Sequence, residues 1–493
     1  MGLIAGNEVL TRRRILLSIL AICAFVGLPL WYATTTVQRA ELPVAEIYGL
    51  SSELVSSSRF EIPVYVQMPV TTTGALQEAQ QQIDDMLKAR NLPVSWRIVL
   101  EAGSGTESDY KVHLFLDQDA DKVYVSPFED RTIKLYVSPT VIKHNKVAEL
   151  IARTLVEDVF GDEITMFERL HQPEAVVKMP YSPDYHVTLS LLQGGVQPIG
   201  WDIESSALLL KNYLSSLAPY ANFTFDSQVE HYEKLSENIA LQYDEDKKQY
   251  LLKESDTSTF IDYSEWGLDQ NTQKVPVVNF LAYVPAPDQR PIQIENSVSN
   301  SFIVPQWGGV AIVNTEKQFL EYGDLLPVME IFASQLFQLV GAPGNPKSPT
   351  IRTDILTRFQ SVANTRKSID NLISLCKLCE QLPNISVPDS TREQVEQALK
   401  RVREAADAVV SRRWSLANAL AAKAYVLSDK AFFQKDMVQQ MYFPEEHKMA
   451  VYTPLLGPFA TIMVLGVLRM LKEARESSVS EKNAAPETAH SVL

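Results

Sequence analysis

The short motif in this sequence with a redox appearance is Cys376-Lys-Leu-Cys379. When two cysteines have this spacing near the start of a helix, the pKa of one thiol can be lowered, and the pair can then exchange disulfides. Here the motif follows an apolar stripe that begins at Phe359, so it lies near the end of a predicted helix, where the helix dipole disfavours a thiolate. We therefore interpret Cys376 and Cys379 as two buried small side chains. A structural disulfide and a thiol oxidoreductase site remain the alternatives.

Other residues that carry acid–base or metal chemistry are scattered along the chain. The seven histidines form no HxH, HExxH or HxxxH motif, and His231-Tyr-Glu233 is a single polar pair at strand spacing. Gly103-Ser-Gly105 lacks the lysine of a phosphate-binding loop, and no GxSxG motif marks a serine nucleophile. The sequence therefore predicts no catalytic residue, no cofactor and no metal site. Sites assembled from distant residues would leave no such local trace.

Length and composition limit the class of protein. A chain of 493 residues exceeds the usual size of one hydrophobic core, so we expect at least two bodies. The hydrophobic fraction of 46% is too low for a multi-span transporter. A net charge of −15, with no basic block beyond the short run at 12–14, argues against nucleic acid as a partner. Three cysteines exclude a small disulfide-stapled scaffold.

Two apolar runs, at residues 15–33 and 449–468, flank the rest of the chain. The second run has no charged side chain and, at about 1.5 Å per residue, reaches about 30 Å, the thickness of a bilayer core. Cations at Arg469 and Lys472 follow it and mark the cytoplasmic side. The first run is longer than the core of a signal peptide, so we interpret it as an uncleaved anchor. The alternative for the first run is a cleaved signal peptide, and the alternative for the second run is a buried core helix.

This interpretation divides the chain into six parts: a cytosolic N-terminus (1–14), a transmembrane helix (15–33), an α/β ectodomain (34–345), a helical hairpin region (346–448), a second transmembrane helix (449–468) and a disordered cytosolic tail (469–493).

The α/β assignment of the ectodomain follows from strands that alternate with amphipathic helices. Strands are predicted at 59–70, 96–100, 110–116, 132–137, 186–192, 222–229, 277–284, 292–294 and 310–313, and helices at 76–87, 146–160 and 203–217. Trp307-Gly308-Gly309 predicts a tight turn or a close backbone approach.

The hairpin region and two sequons complete the ectodomain. Apolar residues recur at steps of three and four on either side of a proline-containing turn at 382–390, which predicts two long antiparallel helices. Asn222-Phe-Thr and Asn384-Ile-Ser are acceptor patterns for N-glycosylation, so Asn222 and Asn384 are the candidate site residues.

Several segments resemble the PIG-S family, a subunit of the glycosylphosphatidylinositol (GPI) transamidase. They are collinear and rich in Trp, Tyr and Pro: GLPLWYATT (27–35), RAELP (39–43), YSPDYHVTLSLL (181–192), WDIE (201–204), NFTFDSQV (222–229), VPVVNFLAYVP (275–285), PQWGG (305–309) and AFFQKDMVQQMYFPEEHKMAVYTPLLGP (431–458). Nothing recognisable lies between residues 60 and 164, so the resemblance there rests on continuity.

The resemblance implies a two-span protein of the endoplasmic reticulum membrane, with most of the chain lumenal and both termini cytosolic. It would belong to the complex that removes a C-terminal signal from precursor proteins and attaches a GPI anchor. In this family the nucleophilic cysteine and histidine belong to a separate caspase-like subunit, so no catalytic residue carries over. The expected partners are that subunit, other membrane subunits, membrane lipid and, in a handling role, precursor and GPI. The family's glycosylated asparagine carries onto Asn222.

Two other functions stay open from the residues alone. The first is a stand-alone lumenal thiol oxidoreductase that uses Cys376 and Cys379. The second is a membrane tethering module that presents the long helical hairpin.

Overall fold

The structure is a computed structural model that describes residues 11–483 except 12–13, 28, 31–38, 58, 69–72, 91, 118–121, 126–129, 144–145, 171, 173–177, 232–234, 236–238, 240, 260–274, 383–384 and 436–444. The chain forms two compact units. The α/β unit contains Val44–Ile373 and Glu396–Asp429. The terminal unit contains Met1–Pro43, Ser374–Val395 and Lys430–Leu493.

The first sheet of the α/β unit has the strand order β2-β1-β3-β5-β4. Its strands are β1 (Arg59–Gln67), β2 (Ser95–Ala102), β3 (Tyr110–Leu116), β4 (Lys122–Val125) and β5 (Thr132–Val137). All are parallel except β4, which is antiparallel to β5. The helices of this half are α1 (Val44–Ser57), α2 (Thr73–Arg90), α3 (Pro139–Lys143), α4 (Val147–Arg153), a π-helical segment (Thr154–Val159) and α5 (Gly161–Glu168).

The second sheet has the strand order β8-β6-β11-β14-β13. Its strands are β6 (Asp184–Gln193), β8 (Asn222–His231), β11 (Val277–Val284), β13 (Ser301–Val304) and β14 (Gly308–Ile312), with a separate short pair formed by β7 (Gly200–Trp201) and β15 (Phe319–Leu320). Only β13 is antiparallel to its neighbour. Helices α6 (Ile203–Ser216) and α7 (Tyr322–Leu339) pack against each other. A third, small sheet contains β9 (Gln242–Asp244), β10 (Gln249–Leu252) and β12 (Ile292–Ile294).

The two large sheets repeat one topology. Counted along the chain within each sheet, the strands lie in the order 2-1-3-5-4, and the fourth strand is the antiparallel one in both. Each sheet also has a helix between its first two strands, α2 in the first half and α6 in the second. The α/β unit is therefore built from two copies of the same arrangement of strands.

The two copies differ in how their sheet faces are covered. In the second sheet, α6 and α7 cover one face over Val187 and Phe280, and the small sheet covers the other face over Leu192 and Tyr283. In the first sheet, Ile62 and Val112 lie on the face that packs against the helices. The residues that alternate with them point to the opposite face, and none of these residues on β3 or β5 is buried. Parallel sheets usually have both faces covered.

Four further helices follow the second sheet: α8 (Pro349–Gln381), α9 (Asp389–Val410), α10 (Trp414–Phe432) and α11 (Glu445–Asn483). Ile351 and Ile355 of α8 belong to the core of the first half, and Leu356 belongs to the core of the second half. This helix therefore joins the two cores of the α/β unit. The mixed α/β fold and the long hairpin-like helices agree with the expectation from sequence.

The two apolar runs lie in helical parts of the chain. Residues 449–468 fall within α11, and the described part of the first run is helical and includes a π-helical segment (Cys23–Gly27). Residues 28 and 31–33 of that run lie outside the described residues. Across the part of the chain that the structure describes, no helix has both the length and the apolar composition that a membrane crossing requires.

Candidate functional site

The thiols of Cys376 and Cys379 are buried and free, with 1% and 6% of each residue exposed. Burial raises the pKa of Cys376 to about 11 and also raises the pKa of Cys379. A nucleophilic or redox-active cysteine needs a depressed pKa and access to its substrate. The Arg39 guanidinium lies nearby, but it donates to the backbone carbonyl of Cys379 at 2.7 Å. The structure therefore supports two packed side chains with no disulfide between them, and the raised pKa values of both thiols argue against a redox role.

A row of polar side chains on β6 and β8 places a hydroxyl, an imidazole and a carboxylate together. Nδ1 of His186 lies 2.9 Å from Oγ1 of Thr224, and its Nε2 lies 3.1 Å from Oδ2 of Asp226. The sequence could not show this row because it depends on the register that sets His186 opposite Thr224. The side chain of Asp226 is 58% exposed, whereas the carboxylate of a catalytic triad is buried against its histidine. We assign the row to cross-strand stabilisation of the edge strand β8.

The first sequon begins at the exposed end of the same edge strand. Asn222 is the first residue of β8, and its Nδ2 donates to Oδ1 of Asp184 at 3.0 Å. Thr224 of the sequon is exposed as well. Asn384 lies outside the described residues. Glycosylation of the two asparagines stays a prediction, and the exposure of Asn222 is compatible with it.

No cluster of three or more His, Cys, Asp or Glu residues that could hold a metal ion occurs in the part of the chain that the structure describes.

A buried ionic network joins α8 to the first half of the α/β unit. Arg358 donates to both carboxylate oxygens of Glu163, at 2.8 and 2.6 Å, and Trp96 donates its indole N–H to the same carboxylate at 3.2 Å. The third donor of Arg358 reaches the hydroxyl of Tyr110 at 3.1 Å, and that hydroxyl donates to Asp354 at 2.8 Å. Burial raises the pKa of Tyr110, so its hydroxyl stays protonated and can donate. The network fixes the position of α8 and offers no room for a substrate.

The outward side of β3, β4 and β5 is rich in aromatic and basic side chains. We call it the aromatic-basic patch, and its members are Lys111, His113, Phe115, Lys122, Tyr124, Lys134 and Tyr136. The rings of Phe115 and Tyr136 stack at 5.4 Å, and Nζ of Lys134 lies 5.7 Å from the centre of the Tyr124 ring. Partial burial, Lys111 and Lys134 together lower the pKa of His113. The seven members of the patch include three lysines and no carboxylate, in a chain with a net charge of −15, and the neighbouring Asp130 opposes the lowering of the His113 pKa.

Aromatic residues are enriched where one protein surface contacts another. The face that carries this patch corresponds to the face that the small sheet covers in the second half. Among the surfaces of the described chain, it is therefore our candidate for contact with a partner. The sequence could not show the patch, because the strand register decides which side chains of neighbouring strands lie on the same face.

Known proteins match almost the whole chain. The profile of the PIG-S family, described as "Phosphatidylinositol-glycan biosynthesis class S protein", matches residues 18–477. A "GPI transamidase component GPI17" of Saccharomyces cerevisiae is 29% identical and covers 93% of this chain and 91% of its own length.

Two further relatives cover similar shares. A "GPI-anchor transamidase component PIGS" of Homo sapiens is 26% identical over 95% of this chain and 97% of its own length. A "GPI transamidase component PIG-S homolog" of Schizosaccharomyces pombe is 26% identical over 92% and 82%. The family profile covers far more than half of the sequence, and it includes the regions in which the motifs resembled this family. The chain therefore belongs to the PIG-S family.

Proposed function

We propose that this chain is a non-catalytic subunit of a GPI transamidase in the endoplasmic reticulum membrane. The observation that carries the proposal is the family match over residues 18–477. Relatives that are named as transamidase components align with 92–95% of the chain, so the likeness is to whole subunits and not to one shared module. In this role the chain would hold the complex together and help to present precursor proteins to the subunit that performs the reaction.

The chemistry of the chain supports the non-catalytic part of this proposal. Its one redox-like motif is buried, and burial raises the pKa of both cysteines. The hydroxyl–imidazole–carboxylate row on β6 and β8 ends in an exposed aspartate, so water competes for the contacts that a catalytic row must hold in place. We therefore expect the nucleophilic cysteine and histidine on a separate, caspase-like subunit.

Anchoring by two membrane spans is a second part of the proposal. It is supported by the apolar sequences at 15–33 and 449–468, and by the cations that precede the first run and follow the second. With both termini cytosolic, residues 34–448 would lie in the lumen, where Asn222 and Asn384 can be glycosylated.

The aromatic-basic patch is the surface through which we expect the α/β unit to contact another subunit. The partner should present acidic side chains next to apolar ones, because three of the seven members of the patch are lysines and two of its rings stack on each other. Phe115 and Tyr124 are each 42% exposed, so both rings have area left to bury.

Deletion of the gene in cells tests this function. Cells without the chain should display fewer GPI-anchored proteins and should accumulate precursors that keep their C-terminal signal. Re-expression of the wild-type sequence should reverse both effects. Normal GPI anchoring in the deletion cells would contradict the proposal.

A further inference from the structure

The two apolar runs of the terminal unit contact each other. We call the described residues of 15–30 the first apolar helix, and its partner is the part of α11 at 449–468. A Cβ added to Gly466 would lie 2.9, 3.3 and 3.6 Å from Cδ2, Cδ1 and Cγ of Leu16. The side chain of Leu16 therefore occupies the space that a glycine leaves open on α11. Glycine at such a contact lets two helix backbones approach closely.

The exposure of the side chains shows a contact stripe on each helix. In the first apolar helix, Leu16, Leu20 and Cys23 are half-buried, and every other described residue from 15 to 30 is exposed. Steps of four and three residues place these three on one side of a helix. On α11 the half-buried residues between 463 and 470 also recur at steps of three and four: Met463, Gly466, Val467 and Met470. Because Leu16 and Gly466 belong to these stripes and touch, the two stripes face each other.

The position of the contact matches an antiparallel arrangement. Leu16 is the second residue of the first run, and Gly466 is the third residue from the end of the second run. The start of one run therefore meets the end of the other, as two spans must when both termini lie on the same side of a membrane. Arg14 precedes the first run and Arg469 follows the second, so positive charge gathers at this end of the pair.

The opposite ends of both helices connect to one segment, residues 387–390, between α8 and α9. The N–H of Ala40, seven residues after the first run, donates to the carbonyl of Val387 at 2.9 Å, and Arg39 forms a parallel β-bridge with Val387. Nε2 of Gln434, which precedes α11, donates to Oγ of Ser390 at 3.4 Å. The chain that leaves the first run and the chain that enters the second are thus held next to each other.

The outward sides of the two helices are apolar. Ile22 and Phe25 on the first apolar helix, and Ile462 and Leu465 on α11, are between 61% and 81% exposed. A helix pair in water would turn such side chains inward and present polar residues outside. Exposed apolar surface of this extent marks contact with another apolar phase. The hydrocarbon of a bilayer is the medium that fits it.

From these observations we propose that the two apolar helices form a single antiparallel anchor in the membrane, with Gly466 at the point of closest approach. The inference rests on the membrane-span part of the proposed function. It adds the partner of each span, which is the other span of the same chain, with lipid on the outside. Burial of apolar surface gains little in lipid, so such a pair depends on close packing. Changes at the contact should therefore separate the helices, whereas equal changes at outward positions should not.

Disulfide cross-linking in microsomes tests the pair. The three native cysteines are replaced by alanine, and Leu16→Cys is combined with Gly466→Cys in the full-length chain. Cγ of Leu16 lies 3.6 Å from the Cβ position at residue 466, so two cysteine sulfurs there come within bonding reach. Oxidation should link them. Cleavage at a protease site inserted into the exposed turn 245–248 would then leave two fragments joined on a non-reducing gel.

Matched controls place one cysteine on an outward side at the same depth. They are Leu17→Cys with Gly466→Cys, and Leu16→Cys with Leu465→Cys, since Leu17 and Leu465 are both exposed. Their Cβ atoms point apart, so we expect at least about ten-fold less linked product from either control.

Bulk at position 466 gives a second readout. Gly466→Leu would displace Leu16, so it should lower the temperature at which the full-length chain aggregates in mild detergent. Gly457→Leu is the matched control, because a Cβ at residue 457 meets nothing within 4 Å. The two substitutions raise helix propensity equally, and the control should aggregate at the temperature of the wild type.

The outcome is read from the differences between the variants. Linking of residues 16 and 466 above both controls, in protein that resists extraction by alkaline carbonate, supports the anchor. Linking no greater than in the controls, release of the protein by carbonate, or equal aggregation temperatures for the two leucine variants would overturn it. Because none of these experiments measures GPI anchoring, linked helices together with normal anchoring in the deletion cells would remove the subunit role and leave the anchor.

Discussion

Arg358 and Glu163 form a bidentate ion pair in which the arginine side chain is 1% exposed and the glutamate side chain is fully buried. They are 195 residues apart in sequence, on α8 and α5. Trp96 and Tyr110 complete the hydrogen bonding of the pair, so neither charge is left unpaired in a dry environment. The pair determines where the long helix α8 lies against the first half of the α/β unit.

Removing one charge of this pair should destabilise the protein strongly. Glu163→Gln leaves the Arg358 guanidinium buried without its counter-charge, and we expect a loss of about 3–5 kcal/mol in the free energy of unfolding. Chemical denaturation, followed by tryptophan fluorescence, would measure it. The control is Glu404→Gln, which breaks the half-exposed pair with Arg401 and should cost less than about 1 kcal/mol. Equal losses in the two variants would show that the buried network does not stabilise the fold.

The buried cysteines should be dispensable for function and slow to react. Cys376→Ala with Cys379→Ala should restore surface display of GPI-anchored proteins in cells that lack the chain. In a Cys23→Ala background, alkylation of the folded protein should be slow at pH 8 and should accelerate as the pH approaches about 11, because burial raises the pKa of Cys376 and keeps the thiol protonated below that value. Unfolding in denaturant should remove the protection. Rapid alkylation at pH 8, or failure of the double variant to restore display, would contradict this prediction and favour the oxidoreductase alternative.

Glycosylation tests which side of the membrane holds the ectodomain. Treatment with a glycosidase should increase the mobility of the protein on a gel, and Asn222→Gln with Asn384→Gln should remove that shift. Thr224→Ser keeps the sequon and the hydroxyl that contacts His186, so this variant should still be modified. A wild-type chain in microsomes that carries no glycan would contradict a lumenal location for both asparagines.

Charge reversal in the aromatic-basic patch should weaken assembly and leave folding intact. Lys111→Glu with Lys134→Glu would place carboxylates against the acidic partner surface that we expect. Because like charges facing each other across an interface cost several kcal/mol, recovery of the other subunits should fall by at least about ten-fold. Lys211→Glu on α6, an exposed lysine outside the patch, is the matched control. Unchanged recovery with the double variant would exclude the patch as the contact, while the subunit role itself would stand.

Much of the fold could be predicted from local periodicity. The alternation in Val277–Val284 gave the bounds of β11, and the three- and four-residue steps gave most of α8 and α9. Helix α7 was missed although Glu330, Ser334 and Gln338 form an exposed polar stripe, because nine of its residues are buried and Pro327 lies inside it. The predicted helix at 146–160 is α4 followed by a π-helical segment, which changes the spacing of its buried residues.

The candidate sites were less predictable than the elements that carry them. The two glycines after Trp307 were expected to allow a close approach, and Gly308 does lie against the backbone of Asn279. The partner of Arg358, the register of the aromatic-basic patch and the pairing of Leu16 with Gly466 depend on contacts between segments far apart in the chain. No local pattern encodes these contacts, which is why the sequence indicated an assembly subunit without showing where its surfaces lie.

Purification of the tagged, full-length chain from membranes in mild detergent tests the central claim most directly. The account predicts that a caspase-like cysteine protease and other membrane subunits elute with it as one complex, in similar amounts, and that the Lys211→Glu control recovers them equally well. A monodisperse monomer that carries none of these proteins would contradict the assignment of this chain as a transamidase subunit.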